Sequence, residues 1–132
     1  MSLQILVADD HNLLREALRP FLEKLDDVVE VFEASSYAEV LEQSVAAQAL
    51  SLILLDLNMP GMDGANSIKD LVSKVSGVPI VMMSGQFGRK DVMSAIEAGA
   101  NGYIPKTLSG AAMVNALRLV LSGETYVPSV AF

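Results

Sequence analysis

Short apolar runs alternate with amphipathic helical patterns along the whole chain, and this alternation constrains the fold more than any other feature of the sequence. Runs of strand length that are each followed by a helical segment are typical of a parallel α/β sheet. We predict five strands, at Leu3–Ala8, Val28–Ala34, Ser51–Asp56, Pro79–Ser84 and Gly102–Ile104. We predict five helices, at Asn12–Leu25, Ser36–Ala47, Ala65–Val75, Arg89–Ala98 and Ser109–Leu121.

The two strands with the most continuous apolar sequence are expected to lie inside the sheet. Residues Ile53 to Leu55 are consecutive and apolar, and so are residues Ile80 to Met83, so both faces of these strands should be buried. Helices must therefore cover both sides of the sheet. Because ligands gather at the carboxyl ends of parallel strands, the functional residues are expected just after the strands.

Local signals support the helix boundaries. Ser36 and Glu39 form a candidate capping box, and Ser109 can cap the last helix. Pro20 lies inside the first predicted helix, where it removes one backbone hydrogen bond and should bend the helix. We keep this helix because its apolar residues still form one stripe, made of Leu13, Leu14, Ala17, Leu18, Phe21 and Leu25.

The composition limits the class of protein. The chain has 132 residues, which corresponds to one domain, and its 52% hydrophobic content with mean hydropathy +0.41 excludes intrinsic disorder. No apolar run approaches the roughly 18 residues of a membrane span, and the first ten residues lack the pattern of a signal peptide. The absence of cysteine removes disulfides and thiolate chemistry. We therefore expect a cytoplasmic protein with no membrane partner.

The net charge of −7 argues against nucleic-acid binding by this chain alone, because phosphate contacts need clustered Lys and Arg. The charge is also unevenly distributed. Residues Met1 to Asp63 hold 12 acidic and 3 basic side chains, whereas Gly64 to Phe132 hold 4 acidic and 6 basic ones. The acidic half is a plausible host for a hard cation.

Three carboxylates follow two of the predicted strands. Asp9 and Asp10 come after the first strand and Asp56 ends the third, so they converge at one edge of the sheet if those strands are neighbours. Without compensation the pKa of at least one buried carboxyl group would rise sharply, whereas a divalent cation lets all three stay ionised. Carboxylates and carbonyls suit Mg²⁺, and one His with no Cys argues against zinc.

The same edge gains a hydroxyl group and a cation. Ser84 ends the fourth predicted strand, and Lys106 follows the fifth. A group of metal-binding carboxylates with a Lys and a Ser opposite is similar to a phosphoryl-transfer site, in which the metal and the Lys neutralise the phosphoryl oxygens. Asp56 is the natural nucleophile, because a carboxylate needs no general base to form an acyl phosphate.

Four motifs together resemble the receiver domain of two-component response regulators. They are DDH at Asp9 to His11, LLDLNMPGMDG at Leu54 to Gly64, MMSG at Met82 to Gly85 and GYIPK at Gly102 to Lys106. The segment AGANGYIPK and the tail LSGETYVPS are most similar to receivers of the LuxR/NarL type. The resemblance implies a flavodoxin-like fold, with a doubly wound five-stranded parallel sheet in the order 2-1-3-4-5 and five helices.

The resemblance also implies which residues hold the metal and the phosphoryl group. Asp56 would be the phosphoacceptor, Asp10 and Asp56 would bind Mg²⁺ directly together with the backbone carbonyl of Asn58, and Asp9 would act through a metal-bound water. Ser84 and Lys106 would hold the transferred group.

Three further positions match the residues that control switching and lifetime in the family. Tyr103 matches the switch aromatic, whose rotamer follows the movement of Ser84 toward the phosphate. Asn58 and Gln86 lie where the family tunes the lifetime of the acyl phosphate. The predicted readout surface is the fourth helix, fifth strand and fifth helix, Arg89 to Leu121.

The chain departs from the family pattern in two ways. Lys106 is followed by Thr107 rather than by the frequent Pro, so a cis bond there would cost about 3–4 kcal/mol. LuxR/NarL-type proteins normally continue into a helix-turn-helix, whereas this sequence ends at Phe132. We expect residues 1–123 to form the receiver domain and residues 124–132 to be a C-terminal tail or the start of a linker to an output domain.

The predicted function is phosphorelay signalling by a regulatory domain that is not an enzyme but assists its own phosphorylation and dephosphorylation. A sensor histidine kinase would donate the phosphoryl group to Asp56, and the output would be transcriptional control. A stand-alone receiver that acts by protein contact is the alternative. A haloacid-dehalogenase-like phosphatase is a remote one, because it needs a second Asp where this chain has Asn58.

Two features of the sequence, His11 and the apolar residues of the last helix, also have simpler structural interpretations. His11 is more often a solvated loop residue than a ligand or an acid. The apolar residues of the last helix either cover the sheet or form a homodimer surface on activation; they are Ala112, Met113, Ala116, Leu117 and Val120.

Overall fold

The structure is a computed structural model that describes residues 2–47 and 49–131. Five parallel strands form one sheet in the order β2-β1-β3-β4-β5, which confirms the predicted fold class. The strands are β1 (Ser2–Ala8), β2 (Val28–Ala34), β3 (Leu52–Asp56), β4 (Ile80–Ser84) and β5 (Gly102–Pro105). The helices are α1 (Asn12–Leu22), α2 (Tyr37–Ala46), α3 (Gly64–Lys74), α4 (Arg89–Glu97) and α5 (Gly110–Leu121).

Two hydrophobic clusters cover the two faces of the sheet. All five residues of β3 and all five of β4 are buried, as their continuous apolar sequence predicts. Alternate residues of β3 divide between the clusters: Ile53 and Leu55 belong to one, and Leu52 and Leu54 belong to the other. The sheet is therefore buried on both faces, and its carboxyl edge carries the polar residues.

The helix ends follow their capping residues, with two differences from the prediction. The Ser36 and Ser109 hydroxyls accept hydrogen bonds from the backbone N–H groups of Glu39 and Ala112, so both caps are confirmed. The Glu39 carboxylate, however, accepts from the backbone and side chain of Ser35 rather than from Ser36, so the capping box is incomplete.

Helix α1 contains Pro20, as predicted, but it ends at Leu22 rather than Leu25. The backbone N–H groups of Lys24 and Leu25 bond to carbonyls three residues back, so the chain tightens into turns after Leu22. The predicted end was wrong because Leu25 continues the apolar stripe through this turn and still packs against the core.

The apolar residues of α5 cover the sheet. Met113, Ala116, Leu117 and Val120 are all buried in one cluster. These residues are not a free surface in this structure, so they do not support the dimer interpretation.

The segment after α5 turns back onto the edge of the sheet. The Tyr103 N–H donates to the Tyr126 carbonyl, and the Tyr126 N–H donates to the Asn101 carbonyl. A short 3-10 helix at Ser129–Ala131 then contacts α4. The domain boundary at residue 123 stays a prediction. Within the described part of the chain, no helix combines the length and the apolar character needed to cross a membrane.

Candidate functional site

The predicted site residues meet at the carboxyl edge of the sheet. β1 pairs with β3, which brings Asp9 and Asp10, just after β1, beside Asp56 at the end of β3. Ser84 ends β4 and is paired with Pro105 on β5, which places Lys106 at the same edge. The expected convergence is thus present because all four strands run in the same direction.

An acidic cluster occupies the centre of this edge. Asp9, Asp10, His11 and Asp56 each offer one potential ligand atom within 4.8 Å of the others. The Asp9 and Asp56 side chains are buried, whereas the Asp10 side chain is 35% exposed. The cluster is therefore open to solvent on the Asp10 side, where an ion can enter.

His11 lies closer to the carboxylates than its interpretation as a loop residue suggests. Its Nδ1 is 3.0 Å from Asp9 Oδ1 and 3.1 Å from Asp10 Oδ1, and its backbone N–H donates to Asp9 Oδ1 over 2.8 Å. The imidazole itself is 69% exposed. His11 thus orients Asp9 from the solvent side.

Lys106 faces both buried carboxylates. Its Nζ is 3.2 Å from Asp9 Oδ2 and 3.3 Å from Asp56 Oδ2. Burial alone would lower the pKa of Lys106, but the charges of Asp56 and Asp9 outweigh burial and raise it. Lys106 is therefore a fixed cation at this edge.

The two buried carboxyl groups differ in their electrostatics. Burial raises the pKa of Asp56, and the neighbouring Asp9 charge adds to the rise, while the Asn58 N–H and Lys106 offset only part of it. Burial also acts on Asp9, but the hydrogen bonds from His11 and the Lys106 charge outweigh it, so the pKa of Asp9 is lowered. Of these two buried carboxylates, Asp56 is therefore the less stabilised by its neighbours.

The unsatisfied oxygens of this cluster fit a hard cation. Asp9 Oδ2 and Asp56 Oδ2 are buried and have no hydrogen-bond donor in good geometry among the described residues, although Lys106 lies at ion-pair distance. Buried carboxylate oxygens are normally satisfied, so this surplus of acceptors suits Mg²⁺, which takes oxygen ligands and keeps several waters. The Asn58 N–H donates to Asp56 Oδ1 over 3.2 Å, which keeps Asn58 beside the cluster.

The backbone of Gln86 joins the two predicted switch residues. The Ser84 hydroxyl accepts a hydrogen bond from the Gln86 N–H over 2.9 Å, and the Tyr103 hydroxyl donates to the Gln86 carbonyl. Ser84 and Tyr103 are both fully buried, and burial raises the pKa of Tyr103. A movement of the Ser84 hydroxyl would therefore change the environment of Tyr103 through one residue.

The loop after β5 is held without a cis peptide bond. Across residues 2–47 and 49–131 every peptide bond is trans, including the one between Lys106 and Thr107. The Lys106 N–H donates to the Ser84 carbonyl over 2.9 Å, so β4 holds this loop directly.

A second group of polar residues, which the sequence patterns did not predict, lies beside the acidic cluster. The Arg15 guanidinium donates to the Asp9 backbone carbonyl and to Glu33 on β2, and Arg19 donates to the same carboxylate. The available signal was the spacing of Arg15 and Arg19, four residues apart on one helix face, with an acid near the end of an edge strand.

Comparison with known proteins places these features in context. The family described as response regulator receiver domain matches residues 5–118. The chain is 36% identical over 125 residues to the glycerol metabolism activator of Pseudomonas putida. The alignment covers 95% of this chain and 57% of that protein. The chain is 35% identical over 120 residues to the nitrate/nitrite response regulator protein NarL of Escherichia coli (strain K12), with coverage of 91% and 55%.

A solved structure shows the same similarity in three dimensions. The crystal structure of a LuxR-family two-component response regulator from Aurantimonas sp. SI85-9A1 aligns with a TM-score of 0.88 at 26% identity, and the alignment covers 99% of this chain and 94% of that one. The chain spans a little over half the length of the two curated relatives.

Proposed function

Because the chain belongs to the response regulator receiver domain family, we propose that it accepts a phosphoryl group on Asp56 from a sensor histidine kinase. The observation that carries this proposal is the buried Asp56 carboxylate, whose Oδ2 has no hydrogen-bond donor in good geometry among residues 2–47 and 49–131 and faces the Lys106 ammonium at 3.3 Å. Such an oxygen is available as a nucleophile, and a fixed cation stands beside the position of the incoming charge. The family match gives the rival dehalogenase-like phosphatase no support.

The transfer converts a phosphohistidine into an acyl phosphate. An Asp56 carboxylate oxygen attacks the phosphorus, a new P–O bond forms, and the P–N bond to the kinase histidine breaks. The released imidazole nitrogen takes a proton from water. Lys106 pairs with a phosphoryl oxygen, which relieves the charge that the transfer concentrates at this edge.

Mg²⁺ is the divalent cation that would occupy the acidic cluster. Asp10, Asp56 and the Asn58 carbonyl would hold the ion, and Asp9 would bind one of its waters. When bound, the ion would neutralise charge at the phosphoryl oxygens. The surplus of buried carboxylate acceptors at Asp9 and Asp56 supports this assignment.

The response is a shift between two surface states. A phosphoryl group adds a charge of about −1.5 to −2 and new acceptor oxygens, so a state in which Ser84 donates to it is favoured. The Ser84 hydroxyl would then leave the Gln86 N–H, and Gln86 would pass the change to Tyr103. The readout surface would be α4, β5 and α5, while Asn58 and Gln86 would tune the lifetime of the acyl phosphate.

The output of the signal would lie outside the receiver domain. Longer relatives include the transcriptional regulatory protein LiaR of Bacillus subtilis (strain 168), of which the alignment covers only 60%, so we propose transcriptional control through a further output domain. Homodimerisation on activation stays a prediction, and the buried α5 residues do not supply its surface in this structure. We place this signalling in the cytoplasm and expect no nucleic-acid contact from this chain alone, given its net charge of −7. Action as a stand-alone receiver is the second candidate.

Labelling by acetyl phosphate tests the proposal without the cognate kinase. With Mg²⁺ present, intact mass should show one added phosphoryl group, and peptide mapping should locate it at Asp56. Lys106→Ala should reduce the yield, and Asp56→Asn should abolish it. Labelling of Asp56→Asn at the wild-type rate would remove Asp56 from its role.

A further inference from the structure

Arg15 connects the acidic loop after β1 to the edge strand β2. Its Nη1 donates to the Asp9 backbone carbonyl, its Nε donates to Glu33 Oε1 over 2.8 Å, and its Nη2 donates to Asn12 Oδ1 over 3.1 Å. All three guanidinium nitrogens are therefore used. The side chain is only 13% exposed, so this arrangement is well packed.

Glu33 is held in place from two sides. Arg19 Nη2 donates to Glu33 Oε2 over 2.7 Å, while Arg15 occupies the other carboxylate oxygen. The hydrogen bond from Arg15 lowers the pKa of Glu33 despite partial burial. Glu33 therefore stays ionised at neutral pH and gives Arg15 a fixed anchor on the sheet.

The position of the Asp9 carbonyl matters for the site beside it. Asp9 and Asp10 are consecutive, and both carboxylates belong to the acidic cluster. A guanidinium that fixes the peptide group between them also fixes the directions in which the two side chains leave the backbone. Groups that orient metal ligands in this way typically change metal affinity by 10-fold to 100-fold when they are removed.

We propose that Arg15, anchored by Glu33, is a positioning residue that holds Asp9 and Asp10 in the geometry that binds a divalent cation. This inference rests on the proposed function, in which that cation is Mg²⁺. Arg15 does not touch the cation or the phosphoryl group. It acts through the backbone of the loop that carries two ligands.

The sign of the effect separates positioning from simple electrostatics. Arg15 is a cation close to an acidic cluster, so its charge alone opposes the binding of a second cation. If charge were its only influence, Arg15→Ala would tighten Mg²⁺ binding and Arg15→Lys would leave it unchanged. A positioning role predicts weaker binding in both variants, because an ammonium group cannot reproduce the fork of a guanidinium.

The test is a Mg²⁺ titration of the whole chain, followed by the backbone amide NMR signals of Asp9, Asp10 and Asp56. We expect Arg15→Ala to raise the Mg²⁺ dissociation constant by about 10-fold, and Arg15→Lys and Glu33→Gln to raise it by smaller factors. Arg118→Ala is the matched control, because Arg118 also donates to a backbone carbonyl, that of Lys24 over 2.9 Å, but far from the site. It should bind Mg²⁺ like the wild type.

The outcomes distinguish this inference from the proposed function. If the wild type binds no Mg²⁺, the proposed function fails and the role of Arg15 fails with it. If the wild type binds and the Arg15 variants bind equally well or more tightly, only the positioning role fails. Should Arg15→Ala not fold, Arg15→Lys decides in the same way, since it keeps the positive charge and most of the local packing while it loses the fork of the guanidinium.

Discussion

The carboxyl groups of Asp9 and Asp56 face the same Lys106 ammonium, yet their pKa values move in opposite directions. The difference lies in the donors around them. Asp9 receives two contacts from His11, whereas Asp56 receives one backbone N–H and meets the charge of Asp9. The ionised Asp56 carboxylate is therefore held in the native state at a cost in stability, which a bound cation would relieve.

At this scale we predict that Asp56→Asn stabilises the protein when no divalent cation is present. Because folding raises the pKa of Asp56, the native state keeps the proton to higher pH than the unfolded chain does. At neutral pH the ionised carboxylate therefore lowers the free energy of unfolding. At pH values below the unfolded pKa of about 3.9 the group is protonated in both states, so this cost disappears. Thermal melts at pH 7 should show a gain of about 1 kcal/mol, which shrinks as the pH is lowered.

The control for this variant is Asp27→Asn, which removes one negative charge from an exposed position. It should leave the melting temperature nearly unchanged. Adding Mg²⁺ should narrow the difference between wild type and Asp56→Asn, since only the wild type keeps the full ligand set. An Asp56→Asn variant that is no more stable than the wild type without cation would contradict this account of the site.

The sequence predicts the site residues whose position depends on strand ends, but not those whose role depends on side-chain rotamers or on loop conformation. Asp9, Asp10, Asp56, Ser84 and Lys106 are predictable because each ends or follows a strand, and parallel strands bring their carboxyl ends together. The contacts of Arg15 and Glu33 depend on side-chain rotamers and on how α1 packs over β2. The bridge through the Gln86 backbone depends on a loop conformation, and residue type carries no information about it.

At the scale of elements, the segment after α5 acts as a cover for the edge of β5. Tyr126 makes two backbone hydrogen bonds there, and Val127 packs against the cluster that contains Tyr103. An uncovered edge strand leaves backbone donors without partners. This role could not be predicted from the sequence, because a single pair of hydrogen bonds produces no periodic pattern.

We predict that truncation after Gly123 destabilises the protein. It would remove the partner of the Tyr103 N–H and the packing of Val127, which together should cost about 1–3 kcal/mol in the free energy of unfolding. Urea denaturation measures this cost. Truncation after Pro128 keeps both Tyr126 hydrogen bonds and should cost less, so it serves as the control. Equal stability of the chain truncated at Gly123 and the full chain would instead support a domain boundary at residue 123.

The helices show the same division between what sequence patterns specify and what they leave open. The Ser36 and Ser109 caps were predictable because a serine hydroxyl at the start of a helix typically accepts a hydrogen bond from a free backbone N–H group of the first turn. The end of α1 was not, because Leu25 keeps the apolar periodicity while the backbone has already left the helix. Burial of a side chain and helical hydrogen bonding are separate conditions.

Across the whole molecule, we expect phosphorylation at the carboxyl edge of the sheet to change the surface formed by α4 and β5. The connection is short: Ser84 and Lys106 lie at the site, and Gln86 links Ser84 to Tyr103. Tyr103 is on β5 and belongs to the same cluster as Val92 of α4. A phosphoryl group that draws the Ser84 hydroxyl away from Gln86 would therefore bias α4 and β5 together.

The most direct measurement is a comparison of amide NMR spectra with and without beryllofluoride, a phosphoryl mimic, in the presence of Mg²⁺. We expect chemical-shift changes that begin at Asp56 and Ser84 and extend through Gln86 and Tyr103 into α4. The changes should require Mg²⁺ and should be absent in Asp56→Asn. A wild-type spectrum that does not respond to Mg²⁺ and beryllofluoride, or an Asp56→Asn spectrum that responds in the same way as the wild type, would contradict this expectation.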